Sequence, residues 1–134
     1  MTAVEYLEES GVPESRWPNF RAWFNWFDQR GLVGVVRKNG SDEVVGVALA
    51  RCLPSGAEPA HYTHEETGDD VYVDLTVCGS SGSDKGYSGG RSAYLQSLLV
   101  ILFDRFGRRR TLTFNRNGNR KAYDYDTFMR KALA

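Results

Sequence analysis

The fold is decided by a strand, a glycine-rich segment and a helix that follow one another between residues 71 and 106. The sequence reads Val71-Tyr-Val-Asp-Leu-Thr-Val-Cys78, then Gly79-Ser-Ser-Gly-Ser-Asp-Lys-Gly-Tyr-Ser-Gly-Gly90, then Arg91-Ser-Ala-Tyr-Leu-Gln-Ser-Leu-Leu-Val-Ile-Leu-Phe-Asp-Arg-Phe106. The first stretch alternates and predicts a strand with Val71, Val73, Leu75 and Val77 on one face. Glycine and serine exclude regular structure from the second. The third predicts an amphipathic helix that Gly107 ends.

Two helices and a hairpin are predicted before this unit. Residues 3–10 indicate a short helix, and the aromatic residues between 17 and 27 recur at helical spacing, with Pro18 in the first turn and Gly31 closing the helix. This aromatic stripe is typical of core packing more than of a ligand pocket. Residues 32–36 and 43–53 are rich in valine and leucine and flank Asn39-Gly40, which predicts a β-hairpin.

After this unit we expect a strand at 110–114, a turn at 115–119 and a last helix at 120–133. A strand followed by a crossover helix and another strand predicts that the strands at 71–78 and 110–114 are parallel. The hairpin adds antiparallel partners. The sequence therefore predicts an α+β fold, a mixed antiparallel and parallel central sheet flanked by helices, in a single domain over residues 1–134.

Composition excludes several classes of protein. The chain has 134 residues, of which 41% are hydrophobic and 13% aromatic, and this is too apolar for a disordered chain. No apolar run reaches the roughly 18 residues of a membrane span, and the acidic start is not that of a signal peptide. Cys52 and Cys78 lie at the ends of apolar runs and are expected to be buried thiols, which fits a cytoplasmic location.

The formal net charge of zero hides a strong asymmetry. Residues 105–134 carry nine basic residues against two acidic ones, whereas residues 1–104 carry eight against fifteen. Three interpretations stay open for the basic residues between 105 and 121. These residues complement a helix C-terminus, bind an anionic partner, or form a nucleic-acid surface together with Tyr123 and Tyr125.

The strand, glycine-rich segment and helix, with the strand after them, resemble the GNAT N-acetyltransferase superfamily. The matching stretches are Val73 to Val77, Gly86-Tyr-Ser-Gly-Gly-Arg-Ser92, Leu112 to Asn115, and Asn119-Arg-Lys-Ala122-Tyr-Asp-Tyr125. The resemblance covers about residues 32–130 and implies a reduced or divergent member with a GNAT-like, acyl-CoA N-acyltransferase fold. It also implies an enzyme that transfers an acetyl group from acetyl-coenzyme A to an amine by direct attack.

The resemblance further implies which residues bind and react. The family's strand and loop bind acetyl-coenzyme A, and glycines followed by a helix N-terminus suit a phosphate. The residues so assigned are Val77, Gly86, Ser88, Gly89, Gly90, Arg91 and Asn119. Tyr125 is the candidate proton donor to the leaving thiolate, and Asp74 and Glu66 are the candidate bases.

Two further interpretations of the sequence concern a metal site and a non-catalytic function. His61 and His64 beside Glu65 and Glu66 have the chemistry of metal ligands, but no cysteine or third histidine lies in reach, so no metal is expected. Gly86 stands where the family pattern has Gln or Arg. This departure favours the alternative function, a non-catalytic GNAT-fold module of a phage or mobile-element type that contacts nucleic acid or a protein partner through residues 105–121.

Overall fold

The computed structural model describes residues 1–79, 93–116 and 119–133. Besides a 3₁₀ helix at Pro13–Arg16, its elements are α1 (Ala3–Ser10), α2 (Phe20–Gln29), β1 (Val33–Arg37), β2 (Val44–Leu53), β3 (Asp70–Cys78), α3 (Ala93–Phe106), β4 (Thr111–Arg116), β5 (Asn119–Asp124) and α4 (Tyr125–Ala132). Helices and a mixed sheet confirm the predicted α+β class.

The first two helices form for local reasons that are visible in the sequence. Thr2 and Glu5 make a capping box at the start of α1, and Gly11 ends the helix in the left-handed conformation, with φ of 74°. In α2 the aromatic stripe lies in the hydrophobic core, where Trp23 and Phe27 meet edge to face. Pro18 precedes α2 instead of lying in its first turn, so the observed helix is shorter than the predicted one at this end.

The five strands lie in chain order, from β1 at one edge to β5 at the other. β1 and β2 form the predicted antiparallel hairpin, and β2 pairs antiparallel with β3. β3 and β4 are parallel, as the strand, helix, strand order predicts. Both cysteines lie on strands of this sheet and are not joined by a disulfide.

A β-bulge in β3 changes which of its side chains share a face of the sheet. Leu49 and Ala50 are neighbours on β2, yet they pair with Leu75 and Val73, which leaves Asp74 as the extra residue. One extra residue reverses the alternation of side chains beyond it. The prediction that four apolar residues of β3 share one face is therefore wrong, because Leu75 lies on the opposite face from Val73.

A second correction concerns the segment after β4. Residues 119–124 form strand β5, antiparallel to β4, where we expected the last helix to begin at residue 120. The helix begins only at Tyr125, with Asp124 accepting a hydrogen bond from the Thr127 N–H as its cap. The C-terminal segment therefore adds an edge strand to the sheet before it packs as a helix.

The helices cover both faces of the sheet. Leu98 and Ile101 of α3 pack closely on Gly34 of β1, and Phe103 of α3 stacks on Tyr125 at the start of α4, so these helices share a face. α1 and α2 lie on the other face, beside Val33 of β1. Within the described ranges, no helix is long and apolar enough to cross a bilayer.

Candidate functional site

The candidate site is a cleft between the carboxyl-terminal ends of β3 and β4. The parallel pairing runs from Asp70 and Thr111 to Val73 and Phe114, and the bulge at Asp74 follows immediately. A bulge bends its strand and increases the local twist. From Leu75 onward β3 leads away from β4, and a space opens where the ladder stops.

The cleft has a volume of about 410 Å³ and is lined from both faces of the sheet. Its walls are Leu75 to Cys78 of β3, Phe114 and Asn115 of β4, Leu95 of α3, and Val12, Pro13 and Glu14 at the start of the 3₁₀ helix. This size and this largely apolar lining are typical of small-molecule sites. The glycine-rich segment joins the end of β3 to α3, so it connects two walls of the cleft in sequence.

Three polar side chains stand in this apolar lining, namely Glu14, Thr76 and Asn115. The Oγ1 atom of Thr76 is shielded from solvent and has no hydrogen-bond partner in the part of the chain that the structure describes. Buried hydroxyls are almost always satisfied, so this atom requires a hydrogen-bond partner beyond the described residues. The Glu14 side chain forms no hydrogen bond or ion pair with the described residues, which leaves a carboxylate available there.

Asp74 lies next to the cleft, one residue before Leu75, and is held by Arg51. The Arg51 guanidinium donates to both carboxylate oxygens, over 2.9 and 3.1 Å, and both side chains are over nine-tenths buried. Arg51 also donates to the carbonyl oxygens of Ala60 and Thr63 in the loop before β3. Burial raises the pKa of Asp74 to about 6 and outweighs Arg51, which lowers it.

Tyr125 lies in the core, at the other end of β4 from the cleft. Its backbone N–H donates to the Arg110 carbonyl at the start of β4, whereas Phe114 and Asn115 line the cleft at its end. The side chain is fully buried, its hydroxyl has no partner among the described residues, and burial raises its pKa to about 12. The structure does not bring Tyr125 together with the cleft, and its role as proton donor stays a prediction.

We expect Tyr125→Phe to raise the free energy of unfolding by about 1 kcal/mol, because it removes a buried hydroxyl that no described residue satisfies. Any catalytic turnover should be unchanged, since the hydroxyl lies away from the cleft. Urea unfolding and a rate assay on the same preparation measure both. A loss of turnover at unchanged stability would support the proton-donor role.

Glu66 belongs to an ionic cluster near the C-terminal end of α3, in the loop before β3. Its carboxylate accepts hydrogen bonds from Arg105, over 2.6 and 3.0 Å, and lies 2.9 Å from Nε2 of His64. Arg105 first and His64 second hold the pKa of Glu66 down at about 2. A carboxylate with so low a pKa is a weak base, and the cluster instead ties the loop to α3.

The pKa of Glu66 predicts a pH-dependent contribution to stability. A carboxylate with a depressed folded-state pKa stabilises the fold above its unfolded pKa, and this contribution is lost as the pH falls toward 2. Because its side chain is 59% exposed, we expect Glu66→Gln to cost only about 1 kcal/mol at pH 7. Urea unfolding at pH 7 and pH 3 measures this, with Glu65→Gln as the matched control. An equal loss at both pH values would contradict the ionic origin.

The histidines of this loop have structural partners. Nδ1 of His64 accepts a hydrogen bond from the backbone N–H of Cys52, and Nε2 meets Glu66. His61 stacks on Trp17, with ring centroids 6.2 Å apart. Both rings therefore attach the loop to the strands and to the segment before α2.

Only part of the predicted coenzyme site lies in the described structure. Val77 lines the cleft, whereas Asn119 is exposed at the start of β5. The other predicted residues, Gly86, Ser88, Gly89, Gly90 and Arg91, lie outside the described residues. The segment Asn119 to Ala122 forms a strand and not the start of a helix.

Most arginines of the basic segment, residues 105–121, form hydrogen bonds or ion pairs with other residues of the chain. Arg109 donates to the carbonyls of Phe106, in the last turn of α3, and of Gly68. Arg110 pairs with Asp70 at 3.0 Å, and Arg120 reaches Glu58 at 3.2 Å. These contacts support the helix-terminus interpretation for Arg109 and show that the basic segment faces the acidic loop before β3. They leave less positive charge for an external anion.

Several site residues were missed at the level of sequence. Glu14 sits in an unremarkable Pro-Glu-Ser segment, and Thr76 belongs to the alternating strand, so neither carries a motif. Arg51 offered a signal, since it is the one charged residue within the apolar run from Val44 to Leu53. A charge in such a run requires a buried partner, and Asp74, in the next apolar strand, is that partner.

Comparison with protein-family models, with curated proteins and with solved structures gives no match to this chain.

Proposed function

We propose that the chain is a GNAT-like acyltransferase that transfers an acetyl group from acetyl-coenzyme A to an amine in the cleft between β3 and β4. One observation carries the proposal. The parallel strands that flank the crossover helix separate after Val73 and Phe114 and leave a space, lined mainly by apolar residues, beside which the Thr76 hydroxyl has no hydrogen-bond partner among the described residues. Ligands of open sheets with crossover helices bind beyond the carboxyl ends of the strands.

The residues of the cleft suit the two substrates. The Thr76 hydroxyl and the Asn115 amide are able to hydrogen-bond the amide groups of an extended acyl carrier, and the apolar walls exclude water from its thioester. The glycine-rich segment before α3 suits the pyrophosphate by its composition. Glu14 gives the cleft a carboxylate that attracts a protonated amine and accepts its proton.

In the proposed reaction the amine nitrogen forms a bond to the acetyl carbon while the carbon–sulfur bond breaks. The Glu14 carboxylate first takes one proton from the ammonium group, so that the neutral amine attacks. The second proton, which the nitrogen loses once the new bond has formed, passes through water to the leaving thiolate. Asp74 acts as a positioning residue, because both of its oxygens accept hydrogen bonds from Arg51 and its bulge sets the path of β3.

Titration with acetyl-coenzyme A tests the proposal directly. Binding should appear in calorimetry and as a rise in melting temperature, because a ligand far above its Kd stabilises the folded chain by a few kcal/mol. Gly89→Glu should abolish it by placing a negative charge beside the phosphates. A panel of amines, followed by release of the coenzyme thiol, then measures turnover. The absence of binding at millimolar ligand would overturn the proposal, and binding of nucleic acid instead would favour a non-catalytic module.

Thr76→Val distinguishes a role of Thr76 in ligand binding from a role in the stability of the fold. Valine has nearly the shape of threonine and lacks only the hydroxyl, which has no described partner. We therefore expect unfolding to be unchanged or slightly harder, while the Kd for acetyl-coenzyme A rises about fivefold to tenfold because a ligand hydrogen bond is lost. Thr113→Val on β4, outside the cleft lining, is the control for calorimetry. Equal Kd values for both variants would remove Thr76 from the binding site.

A further inference from the structure

Strand β1 presents an unpaired edge of the sheet. The Leu32 carbonyl accepts from the Ala50 N–H, and the Lys38 N–H donates to the Glu43 carbonyl, so the even-numbered residues of β1 face β2. The backbone groups of Val33, Val35 and Arg37 therefore point outward. No partner strand covers them in the ranges that the structure describes.

A groove of about 840 Å³ runs beside this edge, between β1 and the helices α1 and α2. Val33 and Val35 form its floor and are only half-buried. Its charged residues include Asp28 of α2 and Arg37 at the end of β1. The Asp28 carboxylate forms no ion pair within the described residues, and the Arg37 guanidinium donates only to the Asp42 backbone carbonyl. Asp28 and Arg37 thus each bring to the groove a charge that no ion pair among the described residues neutralises.

From this edge and groove we infer that the chain forms a two-fold symmetric dimer in which β1 pairs antiparallel with β1 of a second copy, centred on Val35. This register places Val35 opposite Val35 and Arg37 opposite Val33, and the outward groups then form about six hydrogen bonds. Arg37 of each copy enters the groove of the other, which Asp28 lines together with Val33. Both copies contribute the same surface, so each contact occurs twice, as a two-fold interface requires.

A second copy fits this edge better than an unrelated peptide does. One outward-facing residue lies on each side of Val35. Arg37 lies at the end of β1, whereas Asp28 lies in the last turn of α2, the helix that precedes the start of β1. Antiparallel pairing of two identical strands therefore brings Arg37 of one copy toward Asp28 of the other, whereas parallel pairing brings like charges together. The inference is independent of any activity in the cleft between β3 and β4.

Sedimentation equilibrium over a range of micromolar concentrations tests the dimer. We expect a mass approaching twice that of the 15.1 kDa chain. Arg37→Asp should weaken the dimer about tenfold or more, because it places like charges together, and the double variant with Asp28→Arg should restore it. A chain that stays monomeric at every concentration would overturn the inference, as would a dimer indifferent to both single charge reversals.

Val35→Pro tests the strand pairing itself. Proline removes an N–H that faces outward and leaves the hydrogen bonds between β1 and β2 in place, so an edge strand tolerates it. We expect a monomer with an unchanged circular dichroism spectrum. If the variant fails to fold, the charge-reversal pair still decides the outcome. A folded variant that keeps the dimer mass would contradict pairing through β1.

Discussion

Replacing Arg51 with methionine is expected to lower the free energy of unfolding by about 3–5 kcal/mol, because it leaves Asp74 buried without its partner. The guanidinium also donates to Ala60 and Thr63, so the loop before β3 loses its attachment at the same time. Urea unfolding followed by circular dichroism measures the change. No other ion pair described in the structure is as deeply buried on both sides.

The pH dependence identifies the origin of this loss. Burial raises the folded-state pKa of Asp74 to about 6, above the unfolded value of about 4. In the native protein, Asp74 therefore contributes stability that is full below pH 4 and declines as the pH rises to 6. In Arg51→Met the pKa rises further, because the opposing cation is gone. The deficit should therefore be larger at pH 7 than at pH 4, and a deficit independent of pH would indicate lost packing instead.

A double variant provides the matched control. Arg51→Met combined with Asp74→Leu removes both charges, and an apolar pair of similar volume is often as stable as a buried ion pair. We expect it to recover most of the stability that Arg51→Met loses. If the double variant binds acetyl-coenzyme A as the native chain does, the pair contributes to folding alone. If it folds but does not bind, binding requires the pair.

Local patterns predicted those elements whose causes are local. The aromatic spacing of α2 and the Asn39-Gly40 turn each act within a few residues, and the helix and the hairpin that they predict are present. The parallel arrangement of β3 and β4 also followed from chain order, since a crossover through α3 permits it. These features require no knowledge of distant partners.

The features that failed depend on partners far away in the chain. Residues 120–124 contain Arg, Lys and Ala, which favour a helix locally, but pairing with β4 outweighs this propensity. The dipeptide Asn117-Gly118 between two possible strands was the available signal for a hairpin. The bulge at Asp74 had no such signal, because it results from the register between β2 and β3. Because the cleft opens at that bulge, its position could not be predicted from the sequence either.

Gly68→Ala is expected to lower the free energy of unfolding by about 3 kcal/mol or more, because there is no room for a single methyl group. A Cβ atom there would lie 2.5 Å from the Leu53 carbonyl oxygen and 2.8 Å from its backbone nitrogen. These are backbone atoms at the end of β2, and they cannot move aside as a flexible side chain does. The sequence shows only that Gly68 lies in a loop. The structure shows that this residue must be glycine, because its backbone lies so close to that of Leu53.

Gly56→Ala in the same loop is the control that distinguishes crowding from conformational cost. Gly56 has φ of 76° and nothing within 4 Å of an added Cβ, so alanine there costs only about 1 kcal/mol for the left-handed backbone. Urea unfolding of the two variants should therefore differ by about 2 kcal/mol. Equal losses would mean that the loop moves away from Leu53 at little cost. Arg109 donates to the Gly68 carbonyl, and Arg51 donates to the carbonyls of Ala60 and Thr63. A loop that moved away from Leu53 would therefore have to break hydrogen bonds to both arginines, which opposes such a movement.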